Sequence, residues 1–243
     1  MRLKLTIQYD GTAYAGWQVQ PNGPTVQGAI EDAVARVEGA RRGVHGAGRT
    51  DAGVHALGQV AHVDVEKPLS PAVWARALNA NLARDVRVSA AESIGPEFHA
   101  RMSARNKVYR YRVWTAPVVS PFERLYVAHA PHRHDLEAIR EAAALLVGRR
   151  DFEAFTVADR ETKTTVRDLR RLDVEESGGL LTITAEADGF LRAMVRTLAG
   201  TLLAVGDGRL GVDRVARALA EKRRDLAGPT APALGLTLVR VDY

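Results

Sequence analysis

Cysteine is absent from all 243 residues. That excludes disulfides, thiolate-bound metals and cysteine nucleophiles, and it suits a reducing compartment, so a cytoplasmic protein is expected. Long apolar runs are missing too: none approaches the ~18 residues that a helix needs to cross a bilayer. The opening MRLKLTIQYD alternates as a strand does and has no apolar core of the kind that marks a signal peptide. Lysine is scarce, five residues against 29 arginines. What remains is a soluble, globular balance of 46% hydrophobic and 26% charged residues, long enough for one large domain or two of ordinary size. Net charge is +5, and the pI is near 9.7. Arginine's planar fork holds phosphate bidentately, so the charge suggests a nucleic-acid partner, although a base-composition bias would also enrich arginine and alanine together.

Periodicity divides the chain into two similar halves. RLKLTIQYD reads as a strand with Leu3, Leu5 and Ile7 on one face. Thr25 is placed to cap a helix through VQGAIEDAVARV, and Ser70 with Pro71 starts another through SPAVWARALNANL. GQVAHVDVE and DVRVSAAESI complete the first half as strands. In the second half KVYRYRVWTA is a strand, HDLEAIREAAALLVG a helix, and TTVRDLRRLDVEES with LLTITAEADGF a hairpin around Ser177–Gly179. Two helical stretches, FLRAMVRTLAGTLLAVG and GVDRVARALAEKR, precede a last strand, LGLTLVRVDY. The expected fold class is α+β: tandem ferredoxin-like or RRM-like halves with antiparallel sheets, residues 1–104 and 105–243.

The stretch GAGRTDAGVHA, Gly46 to Ala56, has the composition of a site rather than a core. It is not a dinucleotide fingerprint, because Asp51 occupies the third glycine position and a strand follows. Nor is it a P-loop, which would end in Gly-Lys-Ser/Thr. As metal ligands, Asp51 and His55 with His45 or His62 lack a spacing that forces convergence. HRHD, His132 to Asp135, has the composition of a His-rich surface loop. Two readings stand: a glycine-rich turn, or a loop carrying a reactive carboxylate. In extended backbone Arg49 and Asp51 share a side, and a guanidinium there favours the ionised aspartate needed for a nucleophile or general base.

Five ordered blocks resemble the tRNA pseudouridine synthase A (TruA) family. They are YDGTAYAGWQVQPNGPTVQGAIEDAV, GAGRTDAGVHALGQVAHV, FHARMSARNKVYRYRV, DFEAFTVADRETKTTVRDL and GFLRAMVRTLAGTLLAVG. The resemblance implies the pseudouridine synthase fold, two halves joined around a central cleft, and isomerisation of uridine to pseudouridine at positions 38, 39 and 40 of the tRNA anticodon stem-loop. It also implies a homodimer and no metal, nucleotide or organic cofactor. The family's catalytic aspartate falls on Asp51, its base-packing tyrosine on Tyr109, and the arginine that pairs with the aspartate on Arg196. Tyr111 is the alternative tyrosine, since it shares a strand face with Tyr109.

Arg49 is placed to fill the gap left by an extruded base, and an arginine plane offsets lost stacking. Tyr14, Trp17 and Gln18 are candidates for RNA contact, as are the arginines of ETKTTVRDLRR and EKRRD for phosphate. Two positions depart from the family pattern: Thr197 stands where asparagine is common, and Leu234 where histidine is. A non-catalytic RNA-binding protein and a metal-dependent phosphoesterase using Asp51, His55 and His62 are the rival readings.

Overall fold

Leu3, Leu5 and Ile7 are fully buried, as the alternation of the first strand requires. A computed structural model describes residues 1–157 and 163–243; residues 158–162, within the fourth block above, lie outside the described residues. The chain forms two compact units, Met1–Arg105 with Thr237–Tyr243, and Asn106–Leu236.

The first unit runs β1 (Arg2–Tyr9), α1 (Val26–Glu38), β2 (His45–Gly46), β3 (His55–Asp64), α2 (Pro71–Asn81) and β4 (Val86–Ile94). β1 lies between β3 and β4, antiparallel to both, and β2 adds to β3. This strand–helix–strand–strand–helix–strand order with antiparallel pairing is ferredoxin-like. Both helices start where their caps predict. Thr25 accepts from the Gly28 amide and Ser70 from the Val73 amide, contributions of about 1 kcal/mol each. α1 stops at Gly39, whose φ of 86° only glycine adopts without strain.

The second unit runs β5 (Asn106–Trp114), β6 (Ala128–His129), α3 (Leu136–Leu146), β7 (Gly148–Asp151), β8 (Val166–Ser177), β9 (Leu180–Ala187), α4 (Met194–Gly206) and α5 (Val212–Glu221). Its sheet has the order β5-β9-β8-β7, antiparallel throughout, with β6 parallel to β5. Gly178 and Gly179, at φ 60° and 79°, make the two-residue turn between β8 and β9. The helix expected from Phe190 begins four residues later. Ala193, at φ 57°, breaks the run, so Phe190 to Ala193 form a turn ahead of α4. The last strand, β10 (Leu236–Asp242), lies in the first unit from Thr237 onward. It runs parallel to β3, with Thr237 opposite His55 and Leu238 opposite Ala56.

Candidate active site

Asp51 sits half-buried in the loop between β2 and β3, and the residues around it are tightly held. Ala47 donates its amide to the Val60 carbonyl at 2.7 Å, and Val54 donates to the Asp51 carbonyl at 3.2 Å. Thr50, next to Asp51, is anchored through both its side chain and its backbone. Its Oγ1 lies 2.8 Å from the Tyr9 hydroxyl, and its carbonyl accepts from the Trp17 amide at 3.0 Å. Gln59, fully buried, donates Nε2 to the Gly48 carbonyl at 2.9 Å. Burial pushes the Tyr9 phenol up to about 12, against opposing hydrogen bonds from Thr50 and Gln59, so it stays a neutral strut. The Tyr9–Thr50 bond is buried and the Gln59–Gly48 bond partly so, and breaking a buried one leaves a polar group unsatisfied at a cost of about 1–3 kcal/mol.

The N-terminal loop closes on the same segment. Gly16 has φ 99°, and a Cβ there would stand 2.6 Å from the Thr50 carbonyl oxygen. Gly46 gives way to the Trp17 ring, which a Cβ would meet at 2.6 Å. Trp17 is 2% exposed and packs on Tyr9 at 6.2 Å between ring centroids. Tyr14 is buried and donates its hydroxyl to Asp85 Oδ1 at 2.8 Å. Burial, and then the Asp85 carboxylate, push its phenol well above the usual range. Gln18, by contrast, is exposed, and its Oε1 accepts from Arg49 Nε at 3.3 Å. Arg49 is exposed on the same loop. The structure thus brings Tyr14, Trp17, Gln18, Arg49 and Asp51 into one neighbourhood, with Trp17 and Tyr14 beneath and Gln18 and Arg49 outermost.

His55 has a role that its sequence position did not disclose. It is 3% exposed, and its Nδ1 accepts from the Gly11 amide at 3.0 Å while lying 3.2 Å from Asp10 Oδ1. Asp10 Oδ1 also receives the Thr12 amide and hydroxyl at 3.0 and 2.6 Å. The imidazole therefore fastens the turn after β1 to the start of β3, four residues beyond Asp51. His62 is likewise a structural acceptor, its Nδ1 taking the Ala100 amide at 3.1 Å.

In the second unit Tyr109 and Tyr111 share a face of β5, and the structure separates them. Tyr111 is fully buried, and its hydroxyl donates to the Pro232 carbonyl at 2.9 Å. Burial pushes its phenol far up, with a smaller downward pull from the Arg196 charge. Gly235 leaves room for that ring, which a Cβ would meet at 2.9 Å. Tyr109, 7% exposed, meets Phe190 edge-on at 5.1 Å between centroids and an interplanar angle of 85°. Phe190 was not singled out in the sequence, because the expected helix ran through it. The break at Ala193, visible only in the structure, takes it out of α4 and into a turn.

Arg196, in the first turn of α4, is half-buried and donates Nε to the Ala231 carbonyl at 2.8 Å, while Ala231 returns its amide to the Arg196 carbonyl at 3.1 Å. Thr197, where the resemblance commonly has asparagine, shows no polar deficit, because its Oγ1 pairs with Thr230 Oγ1 at 3.1 Å. Leu234 lies half-buried in the short helical turn before β10. Three of the candidate phosphate arginines carry carboxylate partners, Arg170 with Asp168 at 3.3 Å, Arg171 with Asp173 at 3.2 Å and Arg223 with Asp225 at 2.6 Å, while Arg167 and Arg224 donate to the Thr164 and Gly228 carbonyls at 2.8 Å each. Such exposed pairs are screened by solvent and contribute little, so a phosphate exchanges with the carboxylate at little cost.

A family model described as tRNA pseudouridine synthase matches residues 5–102 and 142–243. Arg49 and Asp51 fall in the first matched segment and Arg196 in the second; Tyr109 lies between them. A tRNA pseudouridine synthase A from Myxococcus xanthus is 48% identical over 245 residues, covering 100% of this chain and 92% of that protein. One from Rhodopseudomonas palustris is 45% identical, covering 100% and 99%, and one from Geobacillus kaustophilus is 44% identical, covering 100% and 94%. Among solved structures, a Cbf5-Nop10-Gar1 complex overlays at a TM-score of 0.38 with 14% identity, over 98% of this chain and 49% of that one, a likeness too slight to bear weight. On the family match and on identities of this size over its whole length, the chain belongs to the tRNA pseudouridine synthase A family.

Proposed function

We propose that this chain is the isomerase that converts uridine to pseudouridine at positions 38, 39 and 40 in the anticodon stem-loop of tRNA. The reaction adds and removes no atoms. The C1′–N1 bond breaks, uracil turns, C5 bonds to C1′, and the proton leaving C5 is balanced by one gained at N1. Asp51 is the catalytic carboxylate, and it must be ionised to attack carbon or accept a proton. Arg196 pairs with it, and Arg49 fills the space vacated by the flipped base. Tyr109 packs on the uracil and takes part in the proton transfer from C5. Gln18 extends the RNA-facing edge from Arg49, while Trp17 and Tyr14 hold the loop from below. The protein works as a homodimer in the cytoplasm.

The observation that carries this reading is the rigid seat of Asp51. A turn that merely reverses the chain has no need of the Tyr9–Thr50 bond, the Gln59–Gly48 bond and two close glycine approaches around one half-buried carboxylate. Catalysis does need it, since small displacements of a reacting group cost large factors in rate. The test is an unmodified tRNA transcript carrying tritium at uridine C5. Tritium release in step with pseudouridine formation is the expected result; RNA bound at saturation without release marks a binding protein instead.

A further inference from the structure

The loop before α3 and the end of α4 bring together three side chains that the isomerase reaction does not use. His132 Nε2 lies 2.7 Å from Asp207 Oδ1, and His134 Nδ1 lies 2.8 Å from the same oxygen. The ligand atoms of all three residues fall within 4.8 Å of one another, the one such trio among the described residues. His132 and His134 come from HRHD, whose sequence reads as a surface loop; the third member is 75 residues from His132 and invisible to local spacing.

Burial argues that this is more than a surface ion pair. His134 is 7% exposed, and neither of its ring nitrogens makes a hydrogen bond of full geometry, although Asp207 Oδ1 at 2.8 Å and the Ala130 backbone both draw on the ring. A buried imidazole left so is costly unless something takes its lone pair. Asp207 is nearly buried as well, and Arg209 engages its other oxygen, Nε to Oδ2 at 2.9 Å, so Oδ1 faces the imidazoles. His132 remains half-exposed and leaves a side open to solvent. The backbone is pinned at this point, with Asp135 donating its amide to the Gly206 carbonyl at 2.9 Å and capping α3 with its side chain.

We propose that His132 Nε2, His134 Nδ1 and Asp207 Oδ1 bind a divalent transition-metal ion, zinc by preference, which clamps the start of α3 to the end of α4. Two imidazoles and a carboxylate suit zinc, with water as the fourth ligand. Zinc bonds near 2.1 Å at tetrahedral angles set ligand atoms roughly 3.4 Å apart, so the oxygen retreats by about 0.6–0.7 Å as the ion enters. Each ring then keeps its proton on the far nitrogen, Nδ1 of His132 and Nε2 of His134. The ion is a structural clamp and takes no part in the isomerisation.

The test uses the full chain stripped of metal by a chelator and titrated with zinc chloride against a chromophoric competitor. One equivalent is expected to bind, with H132A weakening it at least tenfold. H132A removes a half-exposed side chain, so folding is retained, and its circular dichroism verifies that. Zinc at about a hundred times the wild-type Kd should raise Tm by about 5–10 °C in the wild type and by no more than about half of that in H132A. H45A serves as the control for the other histidine cluster of the chain, His45, His62 and His99. Absence of a bound equivalent, equal affinity in H132A, or loss with H45A in place of H132A overturns the proposal.

Discussion

The Tyr9 hydroxyl and Thr50 Oγ1 lie 2.8 Å apart in a fully buried contact that ties β1 to the residue before Asp51. Tyr9→Phe deletes that bond and leaves the Thr50 hydroxyl and the Gln59 amide short of a partner. Stability should fall by about 1–2 kcal/mol, read as a lower denaturant midpoint. If the bond also fixes Asp51, kcat drops while KM for tRNA holds. An unchanged kcat at reduced stability would assign the contact to folding alone.

Gly16 is the point where the N-terminal loop touches the Thr50 carbonyl. Gly16→Ala places a methyl 2.6 Å from that oxygen at a φ of 99°. Both the clash and the backbone strain displace Thr50 and with it Asp51, and a mis-set catalytic group costs ~100-fold in rate. The expected variant is folded by circular dichroism and at least tenfold slower. A normal rate would show that the loop accommodates the shift.

The two tyrosines of β5 make opposite predictions. Tyr111→Phe loses a buried hydrogen bond to Pro232, so Tm falls and turnover per folded molecule is kept. Tyr109→Phe keeps the edge contact with Phe190 but loses the hydroxyl assigned to proton transfer, so turnover per folded molecule falls steeply. Parallel single-turnover and thermal-unfolding series on both variants separate the roles. Reversal of the pattern would move the function to Tyr111.

Acid should destabilise the first unit through His62. Burial, then the neighbouring His45 and His99, push its pKa down to about 4, and its Nδ1 must stay unprotonated to accept from Ala100. The unfolded chain protonates this ring near 6.5 while the folded one resists until about 4. Its contribution is therefore fully present above pH 6.5 and is lost as the pH falls from there towards 4. Denaturant midpoints across that window should decline, and His62→Gln should flatten the decline. A wild-type profile level between pH 6.5 and 4 would contradict this assignment.

The elements were legible where one face is buried. Leu3, Leu5 and Ile7 announced β1, and Thr25, Ser70 and Pro71 announced the helix starts, because alternation and capping are local chemistry. Partners were not legible. Nothing in LGLTLVRVDY says that it runs beside β3, a pairing made across about three quarters of the chain. The expected helix from Phe190 fails at Ala193, since its left-handed backbone comes from tertiary context and not from alanine's propensity. Around Asp51 the sequence disclosed a polar, glycine-rich loop, and the resemblance pointed to its chemistry. The anchors came only with the fold: Tyr9 and Gln59 look like ordinary strand residues, and His55 looked available until its bond to Gly11 was seen.

The account rests on Asp51, and Asp51→Asn changes its charge with almost no change in shape. The most direct measurement is pseudouridine mapping at positions 38, 39 and 40 in tRNA from cells lacking this gene, complemented with the wild-type chain or with Asp51→Asn. The wild type should restore all three sites. The variant should restore none, although the purified variant still binds tRNA with near wild-type affinity. Pseudouridine restored by Asp51→Asn at normal levels would contradict the assignment of the catalytic carboxylate, and its absence with the wild type would contradict the proposed function.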